Sequence, residues 1–223
     1  MNINADLSLR ATVYTAEQPW INSPLPGVTR RQLERIGGEM ADRATTIVRY
    51  AAGSSFSAHQ HDLGEEFLVL EGTFSDETGD FNRGMYVRNP PGSQHQPYSK
   101  NGCTILVKLR QFQSDDEQFV RIDTHEDHWQ TTDQPGLELL PLFSSHHEQV
   151  TLQRWAAHSQ IDRHAHANGE EIYVLDGQFS DEHGEYPSGT WLRQQAGSSH
   201  TPVTDTGCTL YVKTGHLPPP NND

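Results

Sequence analysis

The chain of 223 residues repeats itself after an interval of 105 positions. The segment HQHDLGEEFLVLEGTFSDETG, which begins at His59, returns without an insertion as HAHANGEEIYVLDGQFSDEHG, which begins at His164. Between the pairs Thr46/Thr151 and Lys108/Lys213, about 29 of 63 aligned positions are identical. This period is too long for a solenoid, so each copy is expected to be a domain with its own core.

The limits of the match predict the domain organisation. We expect a first barrel over residues 11–112, a linker over 113–119, a second barrel over 120–216 and a short tail over 217–223. The linker contains the polar and acidic run QSDDEQ, as an exposed connection should. Upstream of Thr151 the offset changes to 109, which places a four-residue difference between the copies in a weakly matching loop.

The local patterns favour strands over helices. Each copy contains short runs rich in β-branched and aromatic residues, bounded by Gly, Pro, Asn or Asp, such as TTIVRYAA, EFLVLEG, MYVRNP and TILVKLRQF. Strands of this length and spacing are typical of antiparallel sandwiches and barrels. The run TRRQLERIGGEM could form a short turn of helix, but no long window keeps a helical apolar period. The predicted fold class is therefore all-β, with two tandem antiparallel barrels and little helix.

Composition excludes several function classes. The 30 acidic and 16 basic side chains give a formal charge of -14, so phosphate backbones and anionic membrane surfaces are not expected partners. The two cysteines cannot build a disulfide framework or a cysteine-based zinc finger. The N-terminus lacks the basic and apolar pattern of a leader, and no apolar stretch is long enough to span a bilayer. We expect a soluble, cytoplasmic protein.

The repeat concentrates histidine and glutamate at fixed positions. His59 and His61 are two residues apart, so on a strand both imidazoles project from one face. Glu65 follows after a glycine that can turn the chain, and His95 must come from a neighbouring strand after a hairpin near Asp76. Three imidazoles and one carboxylate suit zinc, iron, manganese, nickel or copper, and suit calcium poorly. The predicted ligands of the two sites are His59, His61, Glu65 and His95, and His164, His166, Glu170 and His200.

The spacing of these residues resembles the cupin superfamily. The first copy carries both cupin motifs, Gly53-x5-His59-x-His61-x3-Glu65-x6-Gly72 and Gly84-x5-Pro90-x-Gly92-x2-His95, and departs only at Ser99, where asparagine is usual. The second copy departs at His158, which replaces a glycine, and at Gln195, which replaces a proline. Neither departure removes a ligand, so the resemblance implies a bicupin in which only local turn geometry differs.

The strings GEEFLVLEGTFSDETGDF and GEEIYVLDGQFSDEHGEYPSG, with RNPPGSQHQP, further resemble ChrR-type cupins. In that family the cupin is the zinc-binding half of an anti-sigma factor that responds to oxidants. The family's helical sigma-binding domain has no counterpart here, since about ten residues precede the first barrel, so sigma-factor binding is not expected. The resemblance implies one divalent transition metal per barrel, two per chain, with zinc favoured and iron, manganese or nickel as alternatives.

Two functions are consistent with these features. The first is a metal-binding bicupin that senses or binds a small oxidant or organic ligand, with a protein partner left open. The second is a non-haem metal dioxygenase acting on a small diketone-like substrate, since acetylacetone-cleaving cupins resemble this family. Binding is ranked first because no general base or nucleophile beyond the ligand set can be named from the sequence.

Other repeated residues receive structural interpretations. Glu66 and Glu171 are expected to face away from the sites as solvated or hydrogen-bonded residues. Cys103 and Cys208 are expected to be small buried residues, and Asp76 with its neighbours is expected to form a turn. The histidines without a repeat partner are predicted to lie on the surface: His125, His128, His146, His147, His158, His183 and His216.

Overall fold

The computed structural model describes residues 1–38 and 40–219. The chain forms two compact units, the first made of Met1–Ala5 and Gln18–Asp127, the second of Asp6–Glu17 and the chain from His128 onward. Strands up to Asp127 are β1 (Ala11–Tyr14), β2 (Ile21–Asn22), β3 (Val28–Gly37), β4 (Ala41–Tyr50), β5 (Ser54–Ser55), β6 (His59–His61), β7 (Glu65–Asp76), β8 (Gly79–Asn82), β9 (Met85–Asn89), β10 (Ser93–His95), β11 (Tyr98–Ser99), β12 (Cys103–Leu109) and β13 (Val120–Asp123).

The remaining strands repeat this series. They are β14 (Gln130–Thr131), β15 (Leu137–Ser144), β16 (Gln149–Trp155), β17 (Ser159–Gln160), β18 (His164–His166), β19 (Glu170–Asp181), β20 (Gly184–Pro187), β21 (Thr190–Gln194), β22 (Ser198–His200), β23 (Val203–Thr204) and β24 (Cys208–Thr214). A single turn of 3-10 helix, Thr15–Glu17, follows β1. The expected all-β class with two antiparallel barrels is confirmed.

The first unit is built on one large antiparallel sheet. Its strand order is β13-β9-β7-β12-β4-β3-β2, with β8 and β11 also paired to β7 and β5 paired to β11. A separate ladder joins β10 to β6. Strand β7 is long enough to pair with the main sheet through its first half and with β8 through its second half. This shared strand connects the two sets of strands that form the barrel wall.

The second unit has the same topology. Its order is β1-β21-β19-β24-β16-β15-β14, with β20 and β23 on β19, β17 on β23, and a separate β18-β22 ladder. Equivalent apolar residues fill the two interiors: Phe67, Phe74 and Val107 in the first core correspond to Ile172, Phe179 and Val212 in the second. Burial of these repeated positions confirms that each copy forms its own hydrophobic core.

The flanking strands depart from the predicted domain boundaries. Strand β1, predicted in the first barrel, pairs with β21 and belongs to the second unit. Strand β13, predicted at the start of the second barrel, pairs with β9 and belongs to the first unit. The pairs β1/β21 and β13/β9 occupy equivalent places, because Arg193 and Arg88 face Ala11 and Val120 respectively. Each barrel is therefore completed by the strand that precedes the other repeat in sequence.

The described part of the run TRRQLERIGGEM lies mainly in a strand and not in the expected helical turn. Residues Val28–Gly37 are strand β3, which pairs with β4 through a register shift between Gln32 and Glu34. The shift buries Leu33 and Glu34 in succession, so buried and exposed residues no longer alternate strictly. The polar run therefore lacks the pattern that predicts a strand. Among the described residues, no helix is long and apolar enough to cross a membrane.

Candidate metal centres

The predicted histidines of each copy converge on one point. In the first unit the side chains of His59, His61 and His95 each offer a ligand atom within 4.8 Å of the others. Strand β6 carries His59 and His61 on one face, with ring centroids 4.7 Å apart, and pairing with β10 places His95 opposite His59. The second unit repeats the arrangement with His164, His166 and His200 on β18 and β22.

The carboxylate reaches the same point through a glycine turn. Gly64 has φ 73° and its amide donates to the His61 carbonyl, which redirects the chain into β7 so that Glu65 begins that strand. A Cβ at Gly64 would lie 2.5 Å from the ring of Phe112, and its positive φ is strained for any residue with a Cβ, so both factors favour glycine here. Gly169 has φ 72° and places Glu170 in the same way.

The donor distances agree with the edges of a metal polyhedron. In the first centre, His61 Nε2 lies 2.9 Å from His95 Nε2, and Glu65 Oε2 lies 3.4 Å and 3.5 Å from these two nitrogens. Metal–ligand bonds of about 2.1 Å would give edges of about 3.0 Å in an octahedron and about 3.4 Å in a tetrahedron. These donors therefore have the chemistry and the separation that a divalent transition metal requires.

The second centre has similar dimensions. His200 Nε2 lies 3.2 Å from His164 Nε2, and Glu170 Oε2 lies 3.3 Å from His166 Nε2 and 3.7 Å from His200 Nε2. Within the described residues, the buried Nε2 of His166 forms no hydrogen bond. A buried ring nitrogen that faces a carboxylate and two imidazoles, without a hydrogen bond of its own, is what a ligand atom would present.

Neighbouring acceptors fix the orientation of the imidazoles. The Nδ1 atoms of His59 and His164 lie 2.9 Å from the carbonyl oxygens of Ser57 and Asp162, each two residues earlier. A proton on Nδ1 directs the lone pair of Nε2 towards the other donors. The same contact therefore favours, in both copies, the tautomer of the first histidine that leaves Nε2 free of a proton.

A carboxylate orients the last histidine of each copy. His95 Nδ1 lies 3.2 Å from Asp76 Oδ2, and His200 Nδ1 lies 3.1 Å from Asp181 Oδ2. The sequence interpretation of Asp76 as a turn residue is incomplete, because its other oxygen caps Thr78 while Oδ2 meets His95. The recurrence of aspartate at position 181 could have indicated a role beyond the turn. A turn-forming role was, however, enough to explain an aspartate at both positions.

Amide side chains contact the carboxylates of the candidate centres. Asn89 Nδ2 donates to Glu65 Oε2 at 3.1 Å, and Gln194 Nε2 donates to Glu170 Oε2 at 3.2 Å. Asn89 and Gln194 are equivalent in the repeat, at the end of β9 and β21. Sequence reasoning missed both, although the repeated amide at this position was a usable signal.

Burial keeps several imidazoles of the candidate centres neutral. It lowers the pKa of His61 and of His164, and it lowers the pKa of His166 to about 3. Burial also acts to lower the pKa of His95, but hydrogen bonding to Asp76 and the charge of Glu65 outweigh it and raise that pKa. Burial raises the pKa of Glu170 to about 7. The second centre thus pairs a carboxyl group that resists ionisation with imidazoles that resist protonation.

The other repeated residues serve the barrel wall. Glu66 faces away from the centre as predicted, but it is buried, accepting hydrogen bonds from Tyr86 at 2.9 Å and from Arg88 at 2.6 Å. Cys103 and Cys208 are free and buried, as predicted. The surface assignment is wrong for His216, whose side chain is 2% exposed and lies 3.5 Å from Glu171.

The fold and the duplicated histidine–glutamate clusters define a bicupin with two candidate metal centres. The ChrR Cupin-like domain family matches residues 8–113 and again 117–218, so the chain belongs to this family.

Solved structures share the fold at low sequence identity. A proposed dioxygenase from Nostoc punctiforme superposes with a TM-score of 0.77 at 16% identity, covering 94% of this chain and 84% of that protein. The pirin YhhW from Escherichia coli, in complex with nickel(II), gives 0.69 at 15% identity over 95% and 100% of the two chains. A variant of oxalate decarboxylase from Bacillus subtilis gives 0.65 at 12% identity over 92% and 76%. No curated protein sequence matches the chain.

Proposed function

We propose that each barrel binds one divalent transition metal and that the two centres bind or sense a small oxidant or organic ligand. The observation that carries this proposal is the duplicated cluster of three imidazoles and one carboxylate, each with its own orienting partners. Zinc is favoured by the resemblance to ChrR-type cupins, whereas iron, manganese and nickel suit the same donors. Sigma-factor inhibition is not part of the proposal, because the matched family segment is the cupin domain.

The residues of each centre have separable roles. Three imidazoles and one glutamate would hold the ion, and Asp76, Asn89 and their equivalents hold those ligands in place. The bound ion would supply Lewis acidity and open coordination positions for a small ligand. His59 and His164 are less buried than the other ligands, so the approach for such a ligand lies on their side of the cluster.

A second candidate is a metal-dependent dioxygenase acting on a small diketone-like compound. It is supported by the same partly exposed imidazoles and by the shared fold with the Nostoc punctiforme protein. The described titratable groups of the cluster are already accounted for as candidate ligands or as partners of ligands, and this favours binding over acid–base catalysis.

One experiment separates the two candidates. The protein is purified without added metal, its metal content is measured by mass spectrometry, and oxygen uptake is followed with a panel of small diketones. Zinc at two ions per chain without oxygen uptake supports the binding function. A redox-active metal with substrate-dependent oxygen uptake supports the dioxygenase, and failure to bind any divalent transition metal would rule out both.

A further inference from the structure

An arginine contacts the amide that holds the ligand carboxylate in each barrel. In the second unit, Arg10 Nη1 donates to Gln194 Oε1 at 3.2 Å, while Gln194 Nε2 donates to Glu170. In the first unit, Arg121 Nη2 donates to Asn89 Oδ1 at 2.6 Å, while Asn89 Nδ2 donates to Glu65. Both barrels therefore contain a chain of contacts from guanidinium to amide to carboxylate.

The guanidinium determines which way the amide faces. An arginine has only donors, so it can contact only the oxygen of an amide, and the amino group must then point in the opposite direction. That direction is towards the candidate ligand glutamate in both barrels, and in the second barrel the amide nitrogen also lies 2.8 Å from His200 Nδ1. Without the arginine, a flipped amide would present its oxygen to the carboxylate, and two acceptors would face each other.

The two arginines do not occupy equivalent positions in the repeat. Arg121 lies on β13 and pairs with Val87, and the residue in that place on β1 is Thr12, which pairs with Leu192. Arg10 precedes β1, where the first barrel has Phe119. Both guanidinium groups nevertheless lie over equivalent rings, Arg10 over Tyr186 at 5.6 Å and Arg121 over Phe81 at 5.3 Å. The same contact is thus built twice from different positions, which inheritance from a common repeat does not explain.

Arg10 makes a second contact with its centre. Its Nη2 lies 3.1 Å from Asp181 Oδ2 and also contacts the hydroxyl of Tyr186, which donates to Asp181 Oδ1 at 2.8 Å. Asp181 in turn orients His200. Arg10 therefore supports one carboxylate and one imidazole of the ligand set through two different intermediaries.

We infer that Arg10 and Arg121 are positioning residues for the metal ligands, each brought to its centre by a flanking segment that precedes the other repeat in sequence. The inference rests on the proposed metal binding. Removing either arginine frees the amide to rotate and weakens the hold on the glutamate, so the ion should bind more weakly and with altered geometry. Changes to residues that orient ligands typically lower metal affinity by about 10- to 100-fold.

The test uses Co²⁺ as the probe, since its visible absorption reports coordination geometry. In a His61→Ala background, which leaves the second centre to be measured alone, Arg10→Ala should lower Co²⁺ affinity at least about tenfold and shift the spectrum. Adding Thr12→Arg to Arg10→Ala places a guanidinium where the first barrel has one, and should recover most of the affinity and the parent spectrum. The matched control, Arg10→Ala with Thr12→Gln, should recover neither.

The mirror variant is Arg121→Ala in a His166→Ala background. It should lower the Co²⁺ affinity of the first centre by a similar factor. If Arg10→Ala does not fold, the result for Arg121→Ala is the one that tests the inference. Unchanged affinity and spectrum in both arginine variants would overturn the inference while leaving metal binding intact. Failure of Thr12→Arg to restore the affinity and the spectrum of a folded Arg10→Ala protein would overturn it as well. If the wild-type chain binds neither Co²⁺ nor Zn²⁺, the proposed function itself fails and this inference fails with it.

Discussion

His59 lies directly opposite His95 across the ladder between β6 and β10, and their ring centroids are 5.1 Å apart. His164 and His200 are opposed in the same way across β18 and β22, at 4.7 Å. Side chains alternate between faces along a strand, so a slip of one residue would turn one partner away from the other. The register of a short ladder therefore determines whether each centre has three imidazoles or two.

Single replacements should remove one centre at a time. His61→Ala or His166→Ala leaves two imidazoles and a carboxylate in the affected barrel, so we expect metal content to fall from two ions per chain to one. The double variant should retain none. Metal analysis after gel filtration measures the content, and His146→Ala, at an exposed position outside both clusters, serves as the control that keeps both ions. Two ions retained by the double variant would show that these histidines are not ligands.

Metal affinity at the second centre should depend on pH through Glu170. Burial raises the pKa of Glu170 to about 7, so below that pH the carboxyl must lose a proton before it can bind an ion. The lowered pKa values of His164 and His166 keep these imidazoles neutral in the same range. We therefore expect affinity to fall by up to about tenfold for each unit of pH below 7.

This dependence can be measured by competition with a chelator between pH 8 and pH 5.5, in the His61→Ala background. Glu170→Gln cannot lose a proton, so it should bind more weakly at pH 8 and show a flatter pH profile. An affinity that stays constant from pH 8 to pH 5.5 in the parent would contradict the assignment of Glu170 as a ligand.

Asp76→Asn should weaken the first centre without removing it. Asparagine can still cap Thr78 through its oxygen, but it lacks the charge that holds the Nδ1 proton of His95. We expect a loss of roughly tenfold in metal affinity, the lower end for such a change. The adjacent Glu77→Gln is the control, because it also removes a negative charge near His95 but removes no hydrogen bond to that imidazole. Equal metal affinities for the two variants would show that Asp76 does not support metal binding through His95.

The clustering of the predicted histidines and glutamate could be foreseen from sequence because its geometry is local. Spacing of two on a strand puts His59 and His61 on one face, and a glycine before Glu65 permits the turn that brings it alongside. The repeat then identified His95 and His200 as equivalent residues, each expected on a strand next to the paired histidines. These relations depend only on strand periodicity and on backbone conformations that favour glycine.

The arginines could not be predicted because their placement is not local. Arg10 and Arg121 reach their centres through β1 and β13. The repeat boundaries assign β1 to the first barrel and β13 to the second, but β1 pairs with β21 of the second unit and β13 pairs with β9 of the first. Nothing in a four-residue strand specifies its partner. The sequence pattern of β3 allowed a short helical turn for a different reason. The bulge between Gln32 and Glu34 breaks the alternation of buried and exposed residues on which strand prediction depends.

The two thiols should be inert in the folded protein. Burial raises the pKa of Cys103 to about 11 and that of Cys208 to about 12, so the reactive thiolate is scarce at neutral pH. We expect a disulfide reagent to modify neither thiol at pH 7.5 unless the protein is unfolded. If the protein responds to an oxidant, Cys103→Ala with Cys208→Ala should keep that response. Rapid modification of the native protein would instead make the thiols candidate sensors.

His158 provides a measure of backbone strain at the first cupin motif. It has φ 61° where the first copy has Gly53 with φ 76°, so the turn keeps its shape although a side chain replaces glycine. The left-handed region costs a residue with a Cβ roughly 1 kcal/mol, and glycine avoids that cost. We therefore expect His158→Gly to raise the free energy of unfolding by up to about 1 kcal/mol, less what glycine gains in unfolded-state entropy.

The reciprocal change, Gly53→Ala, should lower the stability of the first unit by a similar amount. A Cβ at Gly53 meets no atom within 4 Å, so conformational strain alone would account for the loss. Urea unfolding of both variants in the presence of a chelator keeps metal binding out of the comparison. Destabilisation by His158→Gly would mean that an imidazole contact and the unfolded-state entropy of glycine together outweigh the strain. A neutral Gly53→Ala would mean that the turn relaxes.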